Sequence, residues 1–254
     1  MTVNNTAVLT AAGLLCAVAG LTYWMAPSAT PDFSEFPAGP ERKAAFFGYL
    51  APLIEEKNDE IRATRQDLLA WNEHRQSISW WDARQIRHIA KDYRMDGFDL
   101  GSDADWQTLL RRVDAVPASL ALAQAANESA WGTSRFSQQG FNYYGQWCFE
   151  DGCGMVPELR GPGKNHEVAT FDSPADSVAS YIDNLNTHDA YHELRTLRST
   201  LAATQQPVTG IALAAGLENY SERGAAYIEE LRAMILSNEL AHYDTPQPHY
   251  DTLN

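Results

Sequence analysis

The stretch between Pro117 and Gly132, PASLALAQAANESAW, sets the strongest limit on what this chain can fold into. It holds a single ionisable side chain, Glu128, among alanines and leucines. Pro117 can open a helix, because a first-turn residue has no intrahelical use for its N–H. Gly132 is placed to end it. Leu120, Ala123, Ala126, Ala130 and Trp131 can face inward on such a helix. Its many alanines let neighbouring helices approach closely, so the expected domain is helical and built around this segment.

Helical spacing continues on both sides. Phe46, Phe47, Leu50, Leu53, Ile54 and Ile61 recur at three- and four-residue spacings, as do Ile86, Ile89 and Tyr93, and then Trp106, Leu109, Leu110 and Val113. The period fades over residues 141–172, which Gly145, Gly152, Gly154, Gly161 and Gly163 interrupt. Two short strands are expected there, near 154–159 and 166–171, around a GPGKN turn. Ser173 and Pro174 then read as the cap and first turn of a helix whose apolar stripe is Val178, Ile182 and Leu185. A further helix covers about 223–239 through Tyr227, Ile228, Leu231, Met234 and Ile235, and the polar tail after it is expected to be loose.

Residues 7–26, AVLTAAGLLCAVAGLTYWMA, carry no charge. A helix of that length spans roughly 30 Å, about one bilayer core. The segment reads as a retained anchor or as the apolar part of a cleaved signal; its length and the Tyr23–Trp24 pair favour the anchor. Residues 27–40, rich in Pro, Ser and Ala, read as an exposed linker. The net charge of -14 repels phosphates, so nucleic acid is not an expected partner. Cys148 and Cys153, in CFEDGC, would clip a loop shut as a disulfide in an oxidising compartment, or else stand as two thiols. Two cysteines are too few for a zinc site, and no P-loop, HExxH or GxGxxG is present; no metal or cofactor is expected.

The chemistry centres on Glu128. It falls near the C-terminal end of the apolar helix, where the negative pole of the helix and the apolar neighbours both disfavour a charged carboxylate. A carboxylic acid that keeps its proton near neutral pH can donate it to the oxygen of a breaking glycosidic bond. The plain alternative is an exposed helix glutamate. Seven Trp and eleven Tyr offer flat faces that suit sugar rings, although most aromatics are core.

Gln124, Glu128-Ser129, Trp131-Gly132-Thr133-Ser134 and Asn142-Tyr143-Tyr144-Gly145, in ALAQAANESAWGTSRF and FNYYGQW, together resemble the hallmark of the glucosaminidase family of bacterial cell-wall hydrolases, glycoside hydrolase family 73. The likeness covers about residues 41–240. GQWCFEDGCGMVP, HEVATFDSPADSVASYIDNLNTHDAYHELRTLR and LENYSERGAAYIEELRAMI are similar to its Bax-type subgroup. The resemblance implies a mainly α fold, a lysozyme-like helical domain with a small β-hairpin lobe. It implies the peptidoglycan glycan strand, β-1,4-linked N-acetylglucosamine, as substrate and Glu128 as general acid.

It also implies a second carboxylate on the hairpin. Glu158 on the first strand is the candidate, ahead of Glu167 on the second and of Glu150 and Asp151 in the Cys loop. Tyr220 matches a family tyrosine near the cleavage point, where a phenol could orient water or an acetamido group. Gln124, Asn142, Tyr144, Trp147 and Tyr181 are candidate substrate contacts, with bracing favoured for Gln124, packing for Tyr181 and a sugar platform for Trp147.

The expected order is an anchor or signal at 7–26, a linker at 27–40, a helical extension at 41–115 packed on the catalytic domain, that domain at 116–240, and a flexible tail at 241–254. The resulting protein would sit at the periplasmic face of the inner membrane, held through 7–26, or be secreted if that segment is cut. Two alternatives stay open: a lytic transglycosylase, and a glycan-binding envelope protein without turnover.

Overall fold

The apolar spacing downstream of Pro40 becomes one long helix. In a computed structural model, which describes residues 30–244 apart from 159, 162 and 164, α1 spans Pro40–Glu73. Phe46, Phe47, Leu50, Ile54 and Ile61 are buried along it, and the stripe extends to Leu68. Next come α2 (Trp80–Asp92) and α3 (Asp103–Arg112). The Ser79 and Ser102 side chains cap their N-termini by accepting from Asp82 N and Asp105 N.

The alanine-rich segment forms α4 (Ala118–Glu128), and every side chain from Ala118 to Ala126 is buried. The chain then forms α5 (Arg135–Gly140), α6 (Pro174–Thr187), α7 (His192–Ala203), α8 (Gly210–Leu213) and α9 (Ala225–Ser237). Helices α1, α8 and α9 pack on α4, and α6 packs on α1. Leu120 and Leu122 are fully enclosed, and burial of such a side chain stabilises the fold by about 1.5–3 kcal/mol. Helix α8 meets α4 almost backbone to backbone: a Cβ on Gly210 would lie 2.7 Å from Leu120 N and would also strike Ser119 Oγ. Only glycine allows that approach.

The extended segment leading into α4 lies inside the protein, so its peptide groups need partners. Asn58 of α1 exchanges two hydrogen bonds with the Val116 backbone, at 2.8 and 3.0 Å. Arg198 of α7 donates to the carbonyls of Arg111, Asp114 and Ala115, and Asn186 of α6 donates to that of Asp114. A buried carbonyl left without a donor would cost about 1–3 kcal/mol, so these three side chains fix where α4 begins.

The small sheet differs in detail from the expected hairpin. It has three strands, β1 (Trp147–Cys148), β2 (Gly154–Met155) and β3 (Glu167–Ala169), in the order β1-β3-β2, both pairs antiparallel. Strand β1 was not expected. Strand β2 is shorter than anticipated, because Pro157 has no N–H to give to a ladder. Glu158 therefore lies beyond the strand, exposed, rather than on it. Cys148 and Cys153 form a disulfide that joins β1 to the approach to β2.

Three other expectations need correction or lie elsewhere. The stretch read as an exposed linker buries Phe33, whose ring packs edge-on against Phe46 and Tyr49. The start of the tail is not loose: the Asp244 carboxylate accepts from Ser119 N and Gly210 N, tying the N-terminal ends of α4 and α8 together. Residues 7–26 lie outside the described residues; among those described, no helix is long and apolar enough to cross a membrane.

Candidate active site

Glu128 is the last residue of α4, which ends earlier than Gly132 alone would dictate. Ala130, Trp131 and Gly132 all take left-handed backbone, at φ +50°, +61° and +74°. For the two non-glycine residues this costs about 1–2 kcal/mol each. Local bonds offset the strain. Trp131 N donates to Ala126 O at 3.0 Å, Gly132 N to Ser129 Oγ at 2.8 Å, and Ser134 N to Ser129 O at 3.0 Å. The Trp131 ring packs edge-on against Phe46 and Phe47 of α1, so it supports the turn from the core side. The turn leaves Glu128 half-buried at the helix end.

One oxygen of that carboxylate is firmly held. Tyr227 Oη of α9 donates to Glu128 Oε1 at 2.8 Å, and Asn127 Nδ2 approaches the same oxygen at 3.3 Å. Behind Tyr227 runs a buried relay: Gln124 Nε2 donates to Tyr227 Oη at 3.0 Å, and Tyr181 Oη donates to Gln124 Oε1 at 2.5 Å. The other oxygen faces Gly145, where a Cβ would stand 3.6 Å from Oε2. Gly145 has φ +65°, which favours glycine at this turn, and the missing Cβ leaves its backbone beside the acid.

Burial is the largest influence on Glu128 and pushes its pKa above the ordinary glutamate value. The hydrogen bonds from Tyr227 and Asn127 act in the opposite direction by favouring the carboxylate. The charge of Glu230 adds to the rise, and that of Arg223 opposes it. The net effect is an acid that holds its proton to higher pH than an exposed glutamate.

The other residues singled out from sequence divide by depth. Gln124, Asn142, Tyr144 and Tyr181 are buried, and most of their polar atoms are engaged within the protein. They brace the site from beneath. Asn142 donates to Gln146 O and Ala169 O and accepts from Tyr144 N and Gln146 N, which locks the loop carrying Gly145 onto β3. The rings of Tyr144 and Tyr181 stack at 3.8 Å. The Tyr144 hydroxyl is buried without a hydrogen-bond partner among the described residues. Tyr220 stacks parallel to Tyr227 at 5.7 Å and donates to Tyr144 O at 2.8 Å; burial drives its pKa far above the usual phenol value, so it stays a donor.

The candidate second carboxylates also separate. Glu167 is buried, and its two oxygens accept from Gly152 N and Gly154 N at 3.2 and 2.9 Å. It holds the disulfide loop against β3. Glu158, Glu150 and Asp151 are exposed. Trp147 is 56% exposed and stacks on His166 at 4.1 Å, which presents a flat face outward. Among the described residues, one group of possible metal ligands lies close together, Cys148, Cys153 and Glu167. Its sulfurs are bonded to each other, and its carboxylate is taken by backbone, so it offers no metal site.

Tyr227 is the residue the sequence hid. It sits on the apolar stripe of α9 and reads as core, yet its hydroxyl is the main contact of Glu128. The available signal was that a buried phenol on such a stripe needs a partner. Arg223 and Glu230, paired at 2.7 Å, likewise escaped notice as charges that bear on Glu128. A separate cleft of about 330 Å³ lies between α1, α2 and α6, lined by Lys57, Glu60, Tyr93 and Asp183; Glu128 is not part of it.

Comparison with known proteins gives two positive findings. The model of the family described as Glucosaminidase, mannosyl-glycoprotein endo-beta-N-acetylglucosaminidase, matches residues 104–240. The chain is 34% identical over 212 residues to Protein bax of Escherichia coli (strain K12), covering 84% of this chain and 75% of that protein. No solved structure matches it.

Proposed function

The chain belongs to the glucosaminidase family, and from that premise we propose that it hydrolyses β-1,4 linkages after N-acetylglucosamine in peptidoglycan, with Glu128 as general acid. Family membership by itself supports a glycosidase acting on peptidoglycan. The finer assignment rests on one observation: a half-buried carboxyl at the end of α4, inclined by burial to keep its proton and aimed by Tyr227. Glu128 donates its proton to the glycosidic oxygen as the bond to the anomeric carbon breaks. Water then adds to that carbon and gives up a proton, restoring the acid.

For the second carboxylate we favour Glu158. It is exposed beyond β2, whereas Glu167 is committed to two backbone N–H groups. Tyr220, bound to the loop that carries Gly145, is a positioning residue, and the open face of Trp147 suits a sugar ring. This substrate would place the protein in the cell envelope, outside the inner membrane.

The test is release of muropeptides from purified sacculi by the full-length chain. Glu128→Gln is expected to slow release by about 100-fold or more, the usual scale for losing a general acid. Unchanged release would remove Glu128 from the mechanism. Mass spectrometry of the products gives the bond: reducing N-acetylglucosamine ends support hydrolysis, and anhydro-muramic ends would make the protein a lytic transglycosylase. Chitooligosaccharide binding without turnover at any pH would leave a glycan-binding module.

A further inference from the structure

Helix α2 carries a face that the proposed chemistry does not use. Ile86 and Ala90 bury one side of the helix. On an exposed flank, Trp80, Arg84, Arg87 and Lys91 recur at spacings of four, three and four, which sets them in one stripe along the helix. Trp81 flanks the stripe. Trp80 and Trp81 are 64% and 71% exposed, an unusual outlay of apolar surface for adjacent residues.

The charges are as unusual as the indoles. The chain carries a net charge of -14, yet none of Arg84, Arg87 and Lys91 pairs with a carboxylate among the described residues. Arg87 makes only a long contact to Ala83 O of its own helix. The acids of α2 are engaged elsewhere: Asp82 with the Ser79 cap and Asp92 beside His88. Compensation of the helix dipole accounts for Lys91 in the last turn but not for Arg84, which lies near the positive end.

We propose that this face of α2 docks on an anionic phospholipid bilayer, with Trp80 and Trp81 at headgroup depth and Arg84, Arg87 and Lys91 against lipid phosphates. A helix lying in the interface needs such a division, apolar or aromatic residues beside a basic stripe on one exposed side. Tryptophan prefers this depth because its ring is apolar and its N–H is polar. A glycan strand is the poorer fit. The two indoles stand at 72° to each other with centroids 4.3 Å apart, so they do not form the coplanar platform that successive sugar rings need. The inference does not depend on residues 7–26 or on the glycosidase assignment.

The test reads the two indoles rather than total binding, so attachment through any other segment does not obscure it. Full-length protein is mixed with vesicles of phosphatidylcholine alone, or with about one third phosphatidylglycerol, in which part of the phosphatidylcholine is brominated near the headgroup. Quenching lost on going from wild type to Trp80→Phe/Trp81→Phe is the share due to this pair. That share is expected to appear with phosphatidylglycerol, and to fall about tenfold in Arg84→Glu/Arg87→Glu/Lys91→Glu and at high salt, since each basic group contributes separately to attraction. All five residues are exposed or near the surface, and near-UV circular dichroism checks that the variants keep their fold. Equal quenching in both vesicle types, or quenching indifferent to the charge reversals, would overturn the proposal. So would a chitooligosaccharide that shifts the fluorescence of this pair while vesicles do not, or self-association that the same substitutions abolish.

Discussion

Replacing Tyr227 by Phe tests the centre of the site with one atom. The hydroxyl it removes is 2.8 Å from Glu128 Oε1 and 3.0 Å from Gln124 Nε2. Two separable effects follow. Gln124 is fully buried, so its amide loses an acceptor inside the core, which costs about 1–3 kcal/mol. For a protein of this size each kcal/mol lowers Tm by about 2–4 °C. The second effect is on proton affinity. The Tyr227 bond favours the ionised carboxylate, against the larger opposing influence of burial. Without it the Glu128 pKa rises further. An acid that must be protonated to act then stays competent to higher pH, so the alkaline limb of the activity profile moves up. Turbidity loss of purified sacculi, followed from acid to alkaline pH, gives the limb; a thermal melt gives the stability. Poorer aim of the carboxyl lowers the height of the profile without moving the limb, so the two are read apart. An alkaline limb that stays in place or moves down would refute the account of how Glu128 is held.

Glu128→Gln should be as stable as wild type at low pH and more stable at neutral pH. A raised folded-state pKa means that the stabilising contribution of the protonated glutamate is present below its unfolded pKa and is lost as pH rises through the folded one, and glutamine has no such loss; urea melts at several pH values measure this. Glu167→Ala leaves Gly152 N and Gly154 N without their acceptor, at about 1–3 kcal/mol in stability by denaturant melts, while turnover persists; a 100-fold loss of turnover with the fold intact would make Glu167 the second carboxylate. Gly145→Ala forces alanine to φ +65°, at about 1–2 kcal/mol, and sets a methyl beside Glu128 Oε2. The added desolvation should move the alkaline limb up, and an unmoved limb would mean that Gly145 does not shape the acid's surroundings.

Much of this protein is written in its sequence, because spacing along one helix fixes which side chains share a face. The run from Phe46 to Ile61 predicts the buried stripe of α1, and the alanines after Pro117 predict a helix that others approach closely. The position of Glu128 near the C-terminal end of that helix is also legible, and so is the upward direction of its pKa, because the apolar neighbours that help bury it are local in the chain. What the sequence could not decide is which distant groups meet. Tyr227 lies far along the chain and repeats at helical spacing like any core residue; only the packing of α9 on α4 turns its hydroxyl toward Glu128. The sequence could rank Glu158 ahead of Glu167 but could not show their surroundings: pairing of β3 with both neighbours buries Glu167 against backbone donors, and Glu158 stands in solvent. Periodicity is a one-dimensional property that survives in the string, whereas hydrogen-bond partners and charge neighbours are set by contacts across the core.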